Sequence, residues 1–316
     1  MSPTQARLRS WSQDGRLYAV LAAAGFSMKA VFVKLGYAAA PVDALTLLAL
    51  RMGFALPLFL WLAWLARDPK AAPLSLKDCA HIALLGFLGY YLSSLFDFYG
   101  LETITAGLER LILYLYPTLV LLFQVCLTRQ RPSGRTLQAL AICYLGLGIG
   151  FVHDLQVTGW SREVMVGSAW VFASAVTYAL YYLGTGALVR RIGSMRLAGL
   201  AGSASCVFVL GHFMAAGEVS SLPALPPAVW LNGGLMAVVS TALPIYWLAL
   251  AIGRMGAAQA AAVGNLGPVL TVFASWLLLG EPLSPYQLGG LALVILGVAR
   301  LKPTPSTPGS RAAVRA

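Results

Sequence analysis

Apolar stretches of about twenty residues recur along this chain, each closed by a short cluster of proline, glycine or charge. A helix needs about 20 apolar residues to cross the hydrocarbon core of a bilayer. Ten segments fit that length: 17–37, 41–66, 80–101, 105–127, 136–153, 166–189, 197–216, 227–251, 257–279 and 284–301. The breaks between them carry turn chemistry, as at Arg67-Asp68-Pro69-Lys70 and Gly280-Glu281-Pro282. The pattern predicts an all-α integral membrane protein with ten transmembrane helices. Residues 1–16 are expected to form a cytoplasmic N-terminal segment. The Pro/Ser/Arg-rich residues 302–316 are expected to form a disordered cytoplasmic tail.

The chain also repeats itself. The run from Tyr99, YGLETITAGLERLILYLYPTLVLLFQVCLTRQRPS, can be set beside the run from Leu248, LALAIGRMGAAQAAAVGNLGPVLTVFASWLLLGEPLS. Pro117 then falls on Pro268, Leu119 on Leu270 and Leu127 on Leu278. Further on, Gln138 falls on Gln287 and Gly148 on Gly297. Two repeats follow, 17–153 and 154–301, each of five spans. Five is odd, so the second repeat is expected to enter the membrane upside down. Inverted repeats of this kind mark secondary transporters with a site near the bilayer midplane.

Composition strengthens the membrane assignment. Hydrophobic residues make up 59% and charged residues only 10%, against about 25% charged in a soluble domain. The net charge of +11 would fit a nucleic-acid binder, but no RNA-binding motif or long basic run is present. The positive-inside rule explains it better. With the N-terminus inside, Arg67, Arg129, Arg190, Arg191, Arg254 and Arg300 fall on the inner side. Asp43, Glu102, Asp154, Glu163, Glu218 and Glu281 fall outside, against Arg162 and Lys34. Both termini are then cytoplasmic and the protein is multi-pass in the cell membrane. The aligned copies reverse sign: Glu102 outside meets Arg254 inside, as inverted orientation demands. The N-terminal residues resemble a secretory signal, but their apolar run continues past Lys29 as a full span, so no cleavage is expected. Cys79, Cys126, Cys143 and Cys206 lack zinc or disulfide spacing and are expected to be small packing residues.

At this point AAAGFSMKAVFVKLGYAAAPVDALTLLALRMGFALPLFL resembles the first two spans of the drug/metabolite transporter superfamily, EamA type. So do the proline-centred fourth and ninth spans and the ending GEPLSPYQLGGLALVILGV, with Gly280-Glu281 and Gly297. The likeness covers residues 17–301. It implies two inverted five-helix repeats, a central cavity, peripheral fifth and tenth helices, and alternating access. Substrates in that family range over amino acids, other metabolites, nucleotide sugars and drugs.

Charges inside the spans carry the chemistry. Helix rise of ~1.5 Å per residue puts Glu109 ~6 Å inside the outer end of the fourth span, and Lys29 and Arg51 ~12 Å inside theirs. Lys29, Arg51, Asp97, Glu109 and Arg110 all fall in the outer half of the first repeat. A lipid-facing charge costs about 2.5–3.5 kcal/mol on insertion scales, so these five should face the interior and meet one another. Neighbouring helix positions point ~100° apart, so Glu109 and Arg110 are expected to serve different partners. One would pair with Arg51 or Lys29 and the other would reach Asp97 or the cavity. Two readings stay open: a structural ion-pair network, or a subset that touches substrate. Three bases against two acids leave one positive charge for a carboxylate or phosphate.

Polar and aromatic positions outline a pocket for a small amphiphilic molecule. Tyr90, Ser94 and Asp97 are spaced to share one face of the third span. Ser174, Thr177, Tyr178, Tyr181 and Thr185 share a face of the sixth. Tyr114 follows Arg110 by four residues. Asn265 sits before Pro268, where backbone carbonyls are freed. For each of these, interhelical hydrogen bonding is the simpler role. The candidate substrate-contacting set is therefore Lys29, Arg51, Tyr90, Ser94, Asp97, Glu109, Arg110, Tyr114, Tyr178 and Asn265. His212 is expected to be a satisfied packing residue, and Gly146, Gly148 and Gly150 to mark close helix packing.

No GxxxxGK[ST], HExxH or GxSxG element is present. The expectation is a secondary or facilitative transporter, not an enzyme, without cofactor or metal, exporting a small metabolite such as an amino acid. Its partners would be that metabolite and the lipids, and Glu109, Asp97 and His212 are the candidates for proton or counter-substrate coupling. The alternatives are a drug efflux permease, an intramembrane enzyme using Glu109 and Lys29, or a passive channel.

Overall fold

A computed structural model describes residues 15–68, 73–129, 133–158, 161–255, 260, 263–264 and 266–300. Among the described residues every regular element is helical. In chain order these are α1 (Gly15–Ala39), α2 (Ala44–Leu65), α3 (Leu76–Leu101), α4 (Ala106–Leu113), α5 (Tyr116–Thr128) and α6 (Gly134–Thr158). Then follow α7 (Arg162–Ile192), α8 (Ser194–Ala216), α9 (227–255), α10 (Gly267–Leu279) and α11 (Pro285–Arg300). Among the described residues eight helical segments are long and apolar enough to cross a membrane, the one through Pro117 among them. Gly267–Leu279 and Pro285–Gly297 are shorter apolar helices. The first part of the ninth predicted span falls mostly outside the described residues.

Helix starts follow local chemistry. The Asp43 carboxylate accepts from the Thr46 N–H at 2.9 Å and opens α2. Ser75 and Asp78 form a reciprocal capping box at α3, and Thr105 and Ser161 cap α4 and α7. Each satisfies a backbone N–H that the helix cannot. The outward faces are apolar: Trp64, Val207 and Leu277 are largely exposed. Polar groups lie inside instead, including Arg51, Asp97, Glu109, Ser174 and Thr241. That inversion suits a lipid surround.

The two repeats break their helices at matching places. Leu76 and Pro227 open corresponding helices. Phe87–Leu92 in α3 and Val238–Ala242 in α9 are π-helical. Tyr116 and Gly267 each begin a thirteen-residue helix with proline in its first turn, ending at left-handed Arg129 and Gly280. The first residues of these paired elements, and the left-handed Arg129 and Gly280, are 151 residues apart, the spacing of Pro117 and Pro268. Proline has no N–H to donate and its ring crowds the carbonyl four residues back. The chain therefore tightens at Leu115, whose N–H bonds to Ile112 O, and at Leu266, whose N–H bonds to Val263 O.

Packing centres on α1, α2, α3, α8 and α9, where Leu47, Leu48, Met52, Phe59, Phe98, Val209 and Met236 form one buried cluster. α6 and α11 pack on each other. A Cβ on Gly146 would meet Gly290 O, and one on Gly290 would meet Gly146 O. Gly150 abuts Leu111, but Gly148 faces open space. Close packing thus explains Gly146 and Gly150 and does not explain Gly148.

The bundle has an acidic and a basic end. At the acidic end Glu102 accepts from the Ala44 N–H at 3.0 Å. The Glu281 carboxylate accepts from the N–H groups of Ala106 and Gly107 at 2.9 and 3.3 Å. At the basic end Arg191 pairs with Asp78 at 2.7 Å, and Arg254 stacks over Tyr18. Tyr18 lies at the start of α1 and Ala44 just beyond its end, so Glu102 and Arg254 sit at opposite ends.

Candidate functional site

The intramembrane charges sort into two groups. In the first, Lys29 on α1 reaches two acids. Its Nζ lies 2.7 Å from Asp97 Oδ2 on α3 and 3.5 Å from Glu109 Oε1 on α4. Asp97 and Glu109 are essentially inaccessible, at 1% and 0% exposure. Arg110 bends back, with Nε 3.6 Å from Glu109 Oε2 and Nη2 donating to Phe26 O at 3.5 Å. The expectation that Glu109 and Arg110 would serve separate partners therefore needs correction. Glu109 does reach Lys29, but Arg110 also leans on its own neighbour. Two bases and two acids close on themselves and are neutral together.

Arg51 forms the second group. It is a candidate partner for Glu109 by depth, yet among the described residues no carboxylate lies within 4.0 Å of it. Its Nε donates to Thr241 Oγ1 on α9 at 3.2 Å and its Nη1 to Ser94 Oγ on α3 at 3.3 Å. Its guanidinium carbon stands 5.7 Å from the centre of the Phe98 ring. It is 5% exposed. Thr241 belongs to the π-helical stretch, and its own hydroxyl donates to Met236 O at 2.8 Å. Such wide turns free backbone carbonyls and recur at functional sites. Thr241 is missing from the candidate set drawn from the sequence, because nothing local marks a threonine in an apolar span as the partner of an arginine 190 residues away.

The third-span stripe meets several helices. Asp97 pairs with Lys29 of α1, Ser94 accepts from Arg51 of α2, and Tyr90 packs on Phe59 of α2 and on Tyr181 of α7, where its hydroxyl lies 3.4 Å from that of Tyr181. Tyr90 lies within the π-helical turn Phe87–Leu92. On α7, Ser174 donates to Ser93 O at 2.7 Å, while Thr177 and Thr185 bond back to their own helix. Tyr178 and Tyr181 instead join a tyrosine cluster with Tyr116 and Tyr182. Tyr116 lies 5.0 Å from Tyr178 and 5.1 Å from Tyr182 between ring centres. Tyr114 sits at the break between α4 and α5, 6.3 Å from Tyr116. Tyr116 and Tyr182 carry no signal in the sequence, because only packing between α5 and α7 brings them together. Asn265 lies outside the described residues.

α1 meets both proline breaks. Phe26 O receives Arg110 beside the first. At the second, Ser27 Oγ donates to Gly267 O at 2.8 Å, and Thr271 Oγ1 donates to Ser27 O at 3.2 Å. At the acidic end Lys34 Nζ donates to the carbonyls of Leu101 and Ile104 at 3.2 and 3.0 Å. A cavity of about 350 Å³ opens there between α3 and α7, lined by Glu102, Thr103, Arg162, Glu163 and Trp170. Burial pushes the Glu102 carboxyl up; the Ala44 N–H opposes this and Asp43 adds to it. His212 accepts or donates a 3.0 Å hydrogen bond with Tyr91 and is satisfied there.

The arrangement therefore consists of a neutral four-charge cluster within the first repeat, together with one buried cation hydrogen-bonded to neutral side chains and a tyrosine cluster, both of these between helices of the two repeats. Known proteins are similar to this chain in sequence and in fold. "Uncharacterized transporter YcbK" of Bacillus subtilis (strain 168) is 32% identical over 306 residues, covering 93% of this chain and 95% of that protein. A "Probable terminal-alkyne amino-acid exporter" of Streptantibioticus cattleyicolor is 25% identical over 253 residues, covering 78% and 81%. A solved crystal structure superposes with a TM-score of 0.62 at 19% identity, over 90% of this chain and 95% of that one, which shows a shared fold. The model of the EamA-like transporter family matches residues 14–151 and again 165–301. Two matches that between them cover most of the chain, with the paired breaks of α3 and α9 inside them, mean that this chain belongs to the EamA-like transporter family.

Proposed function

We propose that this protein is a secondary or facilitative transporter that moves a small metabolite, an amino acid or a related compound, outward across the cytoplasmic membrane by alternating access. Ten spans form two five-span repeats of opposite orientation around a shared path. The single observation that carries this reading is the matched breaking of helices in both repeats. π-turns in α3 and α9 and proline breaks before α5 and α10 come 151 residues apart, around interior polar groups. Interrupted spans in corresponding positions of two halves point to a binding site between them. Glu102 and Arg254 at opposite ends support the inverted orientation. The amino-acid class draws on the relative named as an exporter.

Along the path, Arg51, Ser94, Tyr90, Tyr114 and Tyr178 are the side chains proposed to meet substrate. Lys29, Asp97, Glu109 and Arg110 are proposed to hold α1, α3 and α4 together and to respond when one of them gains or loses charge. Lys29 and Glu109 engage each other, which argues against their use as a free acid and base in an intramembrane enzyme.

Counterflow tests the reading. Purified protein in sealed liposomes, loaded with one unlabelled amino acid at a time, is expected to accumulate the labelled form of its substrate transiently and saturably. Linear flux without exchange would point to a channel instead, and turnover of substrate in detergent would point to an enzyme.

A further inference from the structure

We infer that Arg51, with Ser94, forms a binding site for a single carboxylate, and that this carboxylate belongs to the cargo. The inference rests on the transport reading above and names its substrate class. A buried guanidinium with no carboxylate in contact is expensive, because Asp97 acts on it only from beyond 4.0 Å and its desolvation is only partly matched. The four charges of Lys29, Asp97, Glu109 and Arg110 balance one another in sign, in ion pairs of 2.7–3.6 Å. Lys34 is spent on two backbone carbonyls at the acidic end. Arg51, 5% exposed, is left with two hydroxyls and the face of Phe98.

The local chemistry selects the ligand. Thr241 accepts from Arg51 and gives its own hydrogen to Met236 O, so it orients the guanidinium and has nothing to offer an anion. Ser94 is half-buried and accepts from Nη1, which leaves its hydroxyl hydrogen to donate. A guanidinium edge with one adjacent hydroxyl donor suits a carboxylate. One excess positive charge is matched by one carboxylate group, whereas a phosphate dianion would leave the interior negative by one. Arg51 also ties α2 and α3 of the first repeat to α9 of the second, so an anion there touches helices of both repeats.

Thermal melting of the purified protein tests this with sodium benzoate, benzamide and inorganic phosphate at matched ionic strength. Benzoate carries the charge, benzamide has the same shape without it, and phosphate supplies the competing anion. Benzoate is expected to raise the melting temperature, with benzamide silent and phosphate weaker. In Arg51→Met the benzoate affinity should fall about tenfold or more, since charge-assisted hydrogen bonds are lost. Arg51→Lys should fall between the two, and Ser94→Ala should weaken binding less. Should Arg51→Met not fold, the lysine and alanine variants carry the comparison. Equal shifts by benzoate and benzamide, no shift by benzoate, unchanged benzoate affinity in the Arg51 variants, or a stronger shift by phosphate would each overturn the assignment. A benzoate shift lost in Arg51→Met, without amino-acid counterflow by the native protein, keeps the site and sinks the transport reading. Counterflow that Arg51→Lys leaves unchanged does the reverse.

Discussion

Lys29 Nζ stands 2.7 Å from Asp97 Oδ2, joining the first helix to the third where both side chains are shielded from solvent. Removing one partner leaves a buried charge alone, which typically costs about 3–5 kcal/mol. Lys29→Met and Asp97→Asn should each lower the melting temperature substantially. Glu109 lies within 3.5 Å of the same lysine, so Lys29→Met should be the more damaging of the two. In the double variant the two losses should not add, because the contact is shared. Additive losses would mean that the pair does not interact.

Gly146 and Gly148 occupy one helix and predict opposite outcomes. Gly146→Ala pushes a methyl into Gly290 O on the facing helix, whereas Gly148→Ala meets nothing. Overpacking costs about 1–3 kcal/mol, while glycine to alanine in an uncrowded helix gains roughly 0.5–1 kcal/mol. Parallel melting curves should show the first variant below the native protein and the second at or above it.

Glu281 caps a helix of the other repeat, taking the N–H groups of Ala106 and Gly107 across 175 residues of sequence. A carboxylate at a helix N-terminus contributes about 1 kcal/mol. Glu281→Ala should therefore cost stability of that order and loosen the acidic end. Exchange rates in liposomes should change more than the melting temperature does. If only stability moves, Glu281 is a cap and not a latch.

Cysteines introduced at Glu102 and Arg254, in a background lacking Cys79, Cys126, Cys143 and Cys206, should react with a membrane-impermeant maleimide from opposite sides of the membrane. Position 102 is expected to label from outside in intact cells, and position 254 only after the membrane is opened. Labelling of both from one side would exclude the inverted arrangement.

Much of this architecture is legible in the order of the residues. Span limits follow from apolar length, which is local: 227–251 and 197–216 differ from the helices found by four residues or fewer. Pro117 and Pro268 announce the paired helix breaks, because proline acts on its own backbone. The π-turns are a different matter. Nothing in FLGYYL or VVSTA marks a wider turn.

The amino-acid sequence by itself determined the membrane class, the two repeats and the presence of one surplus base among five charges within the spans, since each depends on composition or on spacing along the chain. Only the tertiary structure decided which base that is. Lys29, Arg51 and Arg110 look alike on paper, and pairing depends on which helices touch. Packing gave Lys29 both acids and turned Arg110 back on its neighbour. It set Arg51 against a threonine of the other repeat, because Coulomb attraction and hydrogen bonds act over a few ångströms of space and take no account of distance along the chain.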